Sequence, residues 1–245
     1  INPGVDVQTH QYITTGLEEN KFGINPWELE QVIELLRQLP NLKLTGLHFH
    51  IGSQITRLDP FKSLCLRVNE INNWFEAKHI IIQHINVGGG LGINYLHPDE
   101  AAIPDFEAYF DLFHRFLTLK HGQQLHFELG RSIIGQSGHL VSKVLYIKKG
   151  VKTNFAILDA GMTELIRPAL YQSVHKIENI SSKSKTHLPY DVVGPVCESS
   201  DCFGKAVFLP ETSRGDTVVI RSAGAYGEVM SSRYNLRDEI RAVID

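Results

Sequence analysis

Residues 79–92 read HIIIQHINVGGGLG, an apolar run with few polar interruptions that ends in four glycines within five positions. A run this apolar, closed by glycine, predicts a strand over 79–87 covered on both faces, as in a parallel sheet. Two similar stretches flank it at a distance. LKLTGLHFH (42–50) and QLHFEL (124–129) also read as strands. Helical patterns lie between and before them. Asn25 and Pro26 suit a helix start, and Leu29, Val32, Ile33 and Leu36 follow at i, i+3, i+4 and i+7, with Pro40 as the stop. Asp59 and Pro60 open a second helix with Phe61, Leu64, Cys65 and Val68 on one face. Pro104 opens a third with Phe106, Tyr109, Phe110 and Phe113 in register, and Gly122 is expected to close it.

Alternating strands and helices of this length argue for parallel strands joined by right-handed crossovers. A complete (β/α)8 barrel needs about 250 residues, and the pattern stops near residue 136. Half a barrel or a small open α/β sheet is therefore expected over 1–136. From 137 to 245 the style changes. HLVSKVLYIKKG, TNFAILDAG, YDVVGP and DTVVIRSAGAY are β-rich and punctuated by Gly and Pro, which predicts a separate, mostly-β domain. ENISSKSKTHLP (178–189) reads as a polar surface loop.

The 245 residues carry a net charge of −3, with 42% hydrophobic and 21% charged residues. No block of like charge marks a nucleic-acid face. No apolar run reaches the ~18 residues of a membrane span. The opening INPGVDVQTH lacks the basic and apolar regions of a signal peptide and has no initiating Met, so the chain is expected to be part of a longer protein. Three cysteines, Cys65, Cys197 and Cys202, fit no zinc spacing and suit a reduced, cytoplasmic setting.

Polar clusters stand at the C-terminal ends of all three predicted strands, where α/β folds bind ligands. After the first, HFHIGSQ offers His48 and His50, whose i, i+2 spacing puts both on one face of a strand. They can share a metal, as in barrel metallohydrolases, although no third ligand is evident. Alternatively one imidazole stacks on a planar ring while Ser53 donates to a phosphate. After the second strand, Gly88, Gly89, Gly90 and Gly92 suit either a phosphate nest or a tight turn, and neither a Walker A nor a G-x-G-x-x-G pattern is present. After the third, Glu128 and Arg131 can serve a ring nitrogen, a metal or an anion, or form a structural pair. In the second half, Arg167 and Tyr171 share a face if their stretch is helical, while Pro168 argues for a turn. Cys197 beside Glu198 suits a proton donor or a structural thiol, and Tyr226 stands among small residues.

Taken in order, GLHFHIGSQ, NVGGGLGINY, ELGR, DAGMTELIRPALY, GPVCESSD and AGAYGEVMSSRYN resemble the motifs of the diaminopimelate decarboxylases. These belong to the alanine-racemase-like decarboxylases that use pyridoxal 5'-phosphate (PLP). The resemblance spans essentially the whole chain. It implies the C-terminal half of a PLP-binding (β/α)8 barrel followed by a β-domain, working as a homodimer on a small amino-acid substrate, with no metal, nucleic acid or membrane involved. It implies that His50 stacks on the pyridine ring and Ser53 touches the phosphate. Gly88, Gly89, Gly90 and Gly130 would cradle that phosphate, and Glu128 would keep the pyridine nitrogen protonated. Arg131 would lie near cofactor and substrate. Arg167, Tyr171 and Tyr226 would line the substrate site, with Tyr226 also reaching the phosphate. Cys197 would return a proton to the α-carbon and Glu198 would bind the distal amino group, both from the partner subunit.

The implied reaction converts meso-2,6-diaminopimelate to L-lysine. Related decarboxylases of carboxynorspermidine, ornithine or arginine are the alternative, and a metal-dependent hydrolase using His48 and His50 is a more distant one. Arg131 and Arg167 suit a second carboxylate far from the reacting carbon, which polyamine-forming relatives have no need to bind. Two departures stand out. Leu129 replaces the proline usual in Glu-Pro-Gly-Arg. None of the 13 lysines has the context of the lysine that carries PLP in that family, so residues 1–245 alone are expected to be inactive.

Overall fold

The computed structural model describes residues 1–6 and 21–244; positions 7–10 of the opening segment fall outside the described residues. Two compact units are present. One comprises Ile1–Gly92 and Ile103–Gly130, the other Ile93–Ala102 and Arg131–Asp245.

The first unit begins with a 3-10 turn, Pro26–Glu28, that leads into α1 (Leu29–Arg37). The Glu28 carboxylate accepts the Asn25 N–H at 2.9 Å and satisfies one orphan donor of this start. β1 (Gly46–His48), α2 (Asp59–Ala77), β2 (His84–Asn86), α3 (Phe106–Phe116) and β3 (Gln124–His126) follow. Pro60 sits in the first turn of α2, and the Asp105 side chain caps α3 by accepting from Ala108 N at 2.8 Å. The strands pair in parallel in the order β1–β2–β3, with His48, Asn86 and His126 side by side.

The strands are shorter than expected. β1 begins at Gly46 rather than Leu42, which is exposed. The ladder does continue past the strand ends: Phe49 N donates to Asn86 O, Val87 N to His126 O and Glu128 N to Gly88 O. The run 79–87 is not covered on both sides. Ile81 is 82% exposed, whereas Ile85 is fully buried. Gly122 does not close α3, which ends at Phe116; Gly122 (φ +80) instead makes the turn into β3.

One face of the sheet is apolar. Leu47, Phe49, Ile85, Val87, Leu125 and Phe127 join the core formed with α2 and α3. Phe61 meets Tyr109 edge-on at 4.9 Å, and Phe113 meets Phe127 at 5.0 Å. Each fully buried side chain of this size contributes about 1.5–3 kcal/mol. The other face carries His84, Gln124, His48, Asn86, His126, His50 and Glu128, as the two-residue period of a strand requires.

The second unit is a six-stranded sheet in the order β6–β9–β4–β5–β7–β8. After the short helix α4 (Arg131–Ile134), it consists of β4 (Leu140–Lys149), β5 (Asn154–Leu158), α5 (Arg167–Tyr171), β6 (Ile177–Asn179), β7 (His187–Val193), β8 (Cys202–Pro210) and β9 (Thr217–Ile220). β4 alternates buried and exposed residues over its first half. It pairs with β9 through Leu140–Lys143 and with β5 from Val144 onward, the β5 ladder shifting register between Val144 and Tyr146. Leu140, Val144, Leu158, Tyr190, Val192, Leu209, Val218 and Ile220 form the core.

The stretch 178–189 is only partly a loop. β6 ends within it at Asn179 and β7 begins within it at His187. Asn179 organises the turn between them, accepting from Ser181 N and Ser182 N and donating to Thr212 and Asp216. Segment Ile93–Ala102 is held to this unit by a four-charge cluster: Asp99 contacts Lys176 and Arg221, both of which also contact Glu178.

Candidate active site

On the polar face of the first unit, Glu128 is held from two sides. Its Oε1 accepts from Asn86 Nδ2 at 2.9 Å, and its Oε2 lies 3.3 Å from His48 Nε2. His84 Nδ1 lies 3.0 Å from His126 Nε2. His48 and His50 are on the same face, but His48 engages Glu128 while the half-buried His50 lies against the glycine run. Burial, aided by His48 and opposed by Glu128, lowers the pKa of His50 and favours its neutral ring. Among the described residues, no three His, Cys, Asp or Glu side chains converge in a metal-ligating set.

The glycines lie against neighbouring backbone. Gly88 and Gly90 adopt φ of +71 and +103. A Cβ at Gly88 would meet Phe49 O and His50 Nδ1, one at Gly89 would meet Glu128 O, and one at Gly90 would meet Gly52 O. Side chains are thus excluded at three successive positions. The Asn86 side chain accepts from Gly88 N at 2.8 Å, fixing the start of the run. Ser53 is half-buried beside Gly52, and Gly130 is exposed with open space where a side chain would stand.

In the second unit, two arginines are buried near one tyrosine. Arg131 is 7% exposed and donates from Nη1 to Tyr95 Oη at 2.6 Å. Arg167 is 4% exposed, and its guanidinium carbon lies 4.5 Å from the Tyr95 ring centre. Arg131 also lies 4.7 Å from the Tyr226 ring centre. Tyr226 takes φ +57, a left-handed conformation rare for an aromatic residue. Arg167 opens α5 and Tyr171 ends it, so the helical alternative holds, with Pro168 tolerated in the first turn.

Cys197 and Glu198 are exposed on the loop between β7 and β8. Glu198 accepts from Tyr234 Oη at 2.7 Å, which pushes the tyrosine pKa up. The loop is anchored by Asp201, 3% exposed, whose carboxylate accepts from Val196 N at 2.7 Å and Met162 N at 2.6 Å. Burial pushes the Asp201 pKa up, against the pull of these two amides. Gly161 and Gly194 lie so close to that carboxylate that a Cβ on either would crowd it.

A sequence profile described as pyridoxal-dependent decarboxylase, C-terminal sheet domain, matches residues 12–224. The chain belongs to the pyridoxal-dependent decarboxylases. Within this family it is 57% identical over 97% of its length to a diaminopimelate decarboxylase of Bacteroides thetaiotaomicron. It is 40% identical over its whole length to one of Neisseria meningitidis. It covers 61% and 58% of these relatives. The crystal structure of diaminopimelate decarboxylase from Helicobacter pylori complexed with L-lysine superimposes with a TM-score of 0.87 at 40% identity, over 96% of this chain and 58% of that one. The chain therefore spans about three-fifths of the length of these decarboxylases. The match to a pyridoxal-dependent decarboxylase sheet domain, and the superposition over both units' sequence, accord with the partial barrel and β-domain expected from the sequence.

Several residues that touch the predicted site residues were not singled out by the sequence. Asn86, Tyr95, His175, Asp201 and Tyr234 all contact residues that were, Asp201 through its N–H to the Glu198 carbonyl. Tyr95 closes the NVGGGLGINY motif and Asp201 closes GPVCESSD, so their place within a motif was the available signal. His175, eight residues after Arg167, had none.

Proposed function

We propose that the protein containing this chain is a PLP-dependent decarboxylase that converts meso-diaminopimelate to L-lysine, acting as a cytoplasmic homodimer. The observation that carries this reading is the pairing of buried Arg167 with buried Arg131 around Tyr95, in a chain whose relatives are diaminopimelate decarboxylases. Two desolvated guanidiniums suit a substrate that keeps a carboxylate away from the reacting carbon.

The first unit fits the cofactor. Gly88–Gly90 offer a side-chain-free backbone for the phosphate, helped by Ser53 and Gly130. His50 would face the pyridine ring, and its preference for the neutral state removes electrostatic opposition to a protonated ring nitrogen. Glu128, oriented by Asn86 and His48, would hold that proton. When bound, PLP supplies the electron sink that accepts the electron pair left on the α-carbon as CO2 departs. Arg131 would lie between cofactor and substrate. Arg167 would bind the carboxylate that is not lost, with Tyr171 and Tyr226 lining the site. Cys197 would deliver a proton to the carbon vacated by CO2, and Glu198 would bind the amino group beside the retained carboxylate. Their exposure on a firmly anchored loop supports presentation to the partner subunit. The cysteines are free thiols, in keeping with a reducing compartment. Among the described residues no helix is long and apolar enough to cross a membrane.

The test is PLP-dependent release of CO2 from meso-diaminopimelate by the purified full-length protein, with L-lysine as product. Absence of that product from an enzyme loaded with PLP would end the reading.

A further inference from the structure

His175 is 4% exposed and none of the roles above uses it. Its Nδ1 lies 2.9 Å from the Arg221 carbonyl oxygen, which can only accept a hydrogen bond. Nδ1 therefore carries the proton and donates it. Nε2, on the opposite side of the ring, lies 2.8 Å from Arg167 Nη1, which can only donate. The two partners together fix one neutral tautomer. The His175 ring also meets Tyr95 edge-on, at 4.8 Å and 70°.

The consequence concerns charge. Arg167 makes no salt bridge with any described carboxylate, and its buried Nε has no partner. Arginines inside proteins are usually oriented by an Asp or Glu, which also cancels their charge. Here the hydrogen bond that Arg167 donates to His175 and the contact with the Tyr95 ring do the orienting, and the imidazole brings no negative charge. Burial first, then the two nearby guanidiniums, keep the imidazole neutral.

We propose that His175 is a positioning residue for substrate recognition: it orients the Arg167 guanidinium as an uncharged acceptor, so that the full positive charge remains for the carboxylate retained on the product. The inference rests on the reading under Proposed function and adds the means by which the site distinguishes amino acids that keep a carboxylate from simple diamines. The ligand class is an α-amino acid whose carboxylate lies at the far end from the reacting carbon.

The full-length holoenzyme and three variants test this. His175→Gln keeps an uncharged acceptor, His175→Phe fills the space without one, and His175→Glu introduces a charged acceptor. Two ligands report on them. L-lysine has the carboxylate, and 1,5-diaminopentane is the same chain without it. The KM for diaminopimelate and the Kd for lysine should rise about tenfold or more in His175→Phe and His175→Glu, since a charge-assisted contact is lost. The effect should appear in KM rather than kcat, diaminopentane should bind as before, and His175→Gln should recover most of the lysine affinity. If His175→Phe fails to fold, the Gln and Glu variants decide between an acceptor that spares the charge and one that cancels it. Unchanged lysine binding in the Phe and Glu variants, or equal weakening of both ligands, would overturn the inference while leaving the functional reading intact. An unaltered enzyme that neither turns over diaminopimelate nor binds lysine would remove the reading itself, and this inference with it.

Discussion

His175 links recognition to stability at the scale of a single residue. Burial pushes its pKa from 6.5 down to about 4. Between those values the unfolded chain takes up a proton that the folded chain refuses. Stability is therefore fully present above pH 6.5 and falls as pH drops towards 4, by about 3 kcal/mol in total. Denaturant unfolding at stepped pH should show this loss in the unaltered protein and a shallower loss in His175→Gln; matching pH dependences would contradict it. Glu128 carries a different expectation. Glu128→Gln keeps the size and the contact with Asn86 but removes the charge, so kcat should fall by about 10²-fold or more, measured as CO2 release. At this scale the sequence announced residues that stand inside motifs, such as His50, Glu128 and Arg167. It was silent on His175, because a buried histidine four residues beyond a motif looks like any core residue until the Arg221 carbonyl is placed beside it.

Among the elements, the loop carrying Cys197 depends on Asp201. Removing the carboxylate with Asp201→Ala leaves the buried Val196 amide and the partly buried Met162 amide without acceptors. The expected cost is about 2–4 kcal/mol, read as a lower denaturation midpoint, and turnover should fall further because Cys197 and Glu198 lose their fixed backbone. A variant with normal stability and turnover would show that the loop needs no such anchor. The periodic patterns of α1, α2 and α3 were legible because their apolar stripes follow the helical period closely. The strand ends were not. LKLTGLHFH and HIIIQHINV contain enough apolar residues to suggest long strands, but pairing partners limit a strand, and composition carries no record of them. The bulge in β4 and the parallel β5–β7 pair are likewise products of long-range pairing.

For the whole molecule, the change of style near residue 137 signalled a barrel portion and a sheet portion. No local pattern signalled that Ile93–Ala102 groups with the sheet, because that grouping rests on Asp99 meeting Lys176 and Arg221 far along the chain. If each active site draws Cys197 from one subunit and Glu128 from the other, two inactive variants should rescue one another. Mixed dimers of Cys197→Ala and Glu128→Gln should regain about a quarter of full activity, since half the dimers are mixed and each mixed dimer has one intact site. Activity no greater than that of the parents would place both residues within a single subunit's site.

The central claim is that the buried arginines serve a substrate with a second carboxylate. The direct measurement is kcat/KM of the full-length holoenzyme for meso-diaminopimelate, ornithine and arginine side by side. A preference for diaminopimelate of about 10²-fold or more is expected. Comparable values for the three, or a preference for ornithine or arginine, would contradict the account.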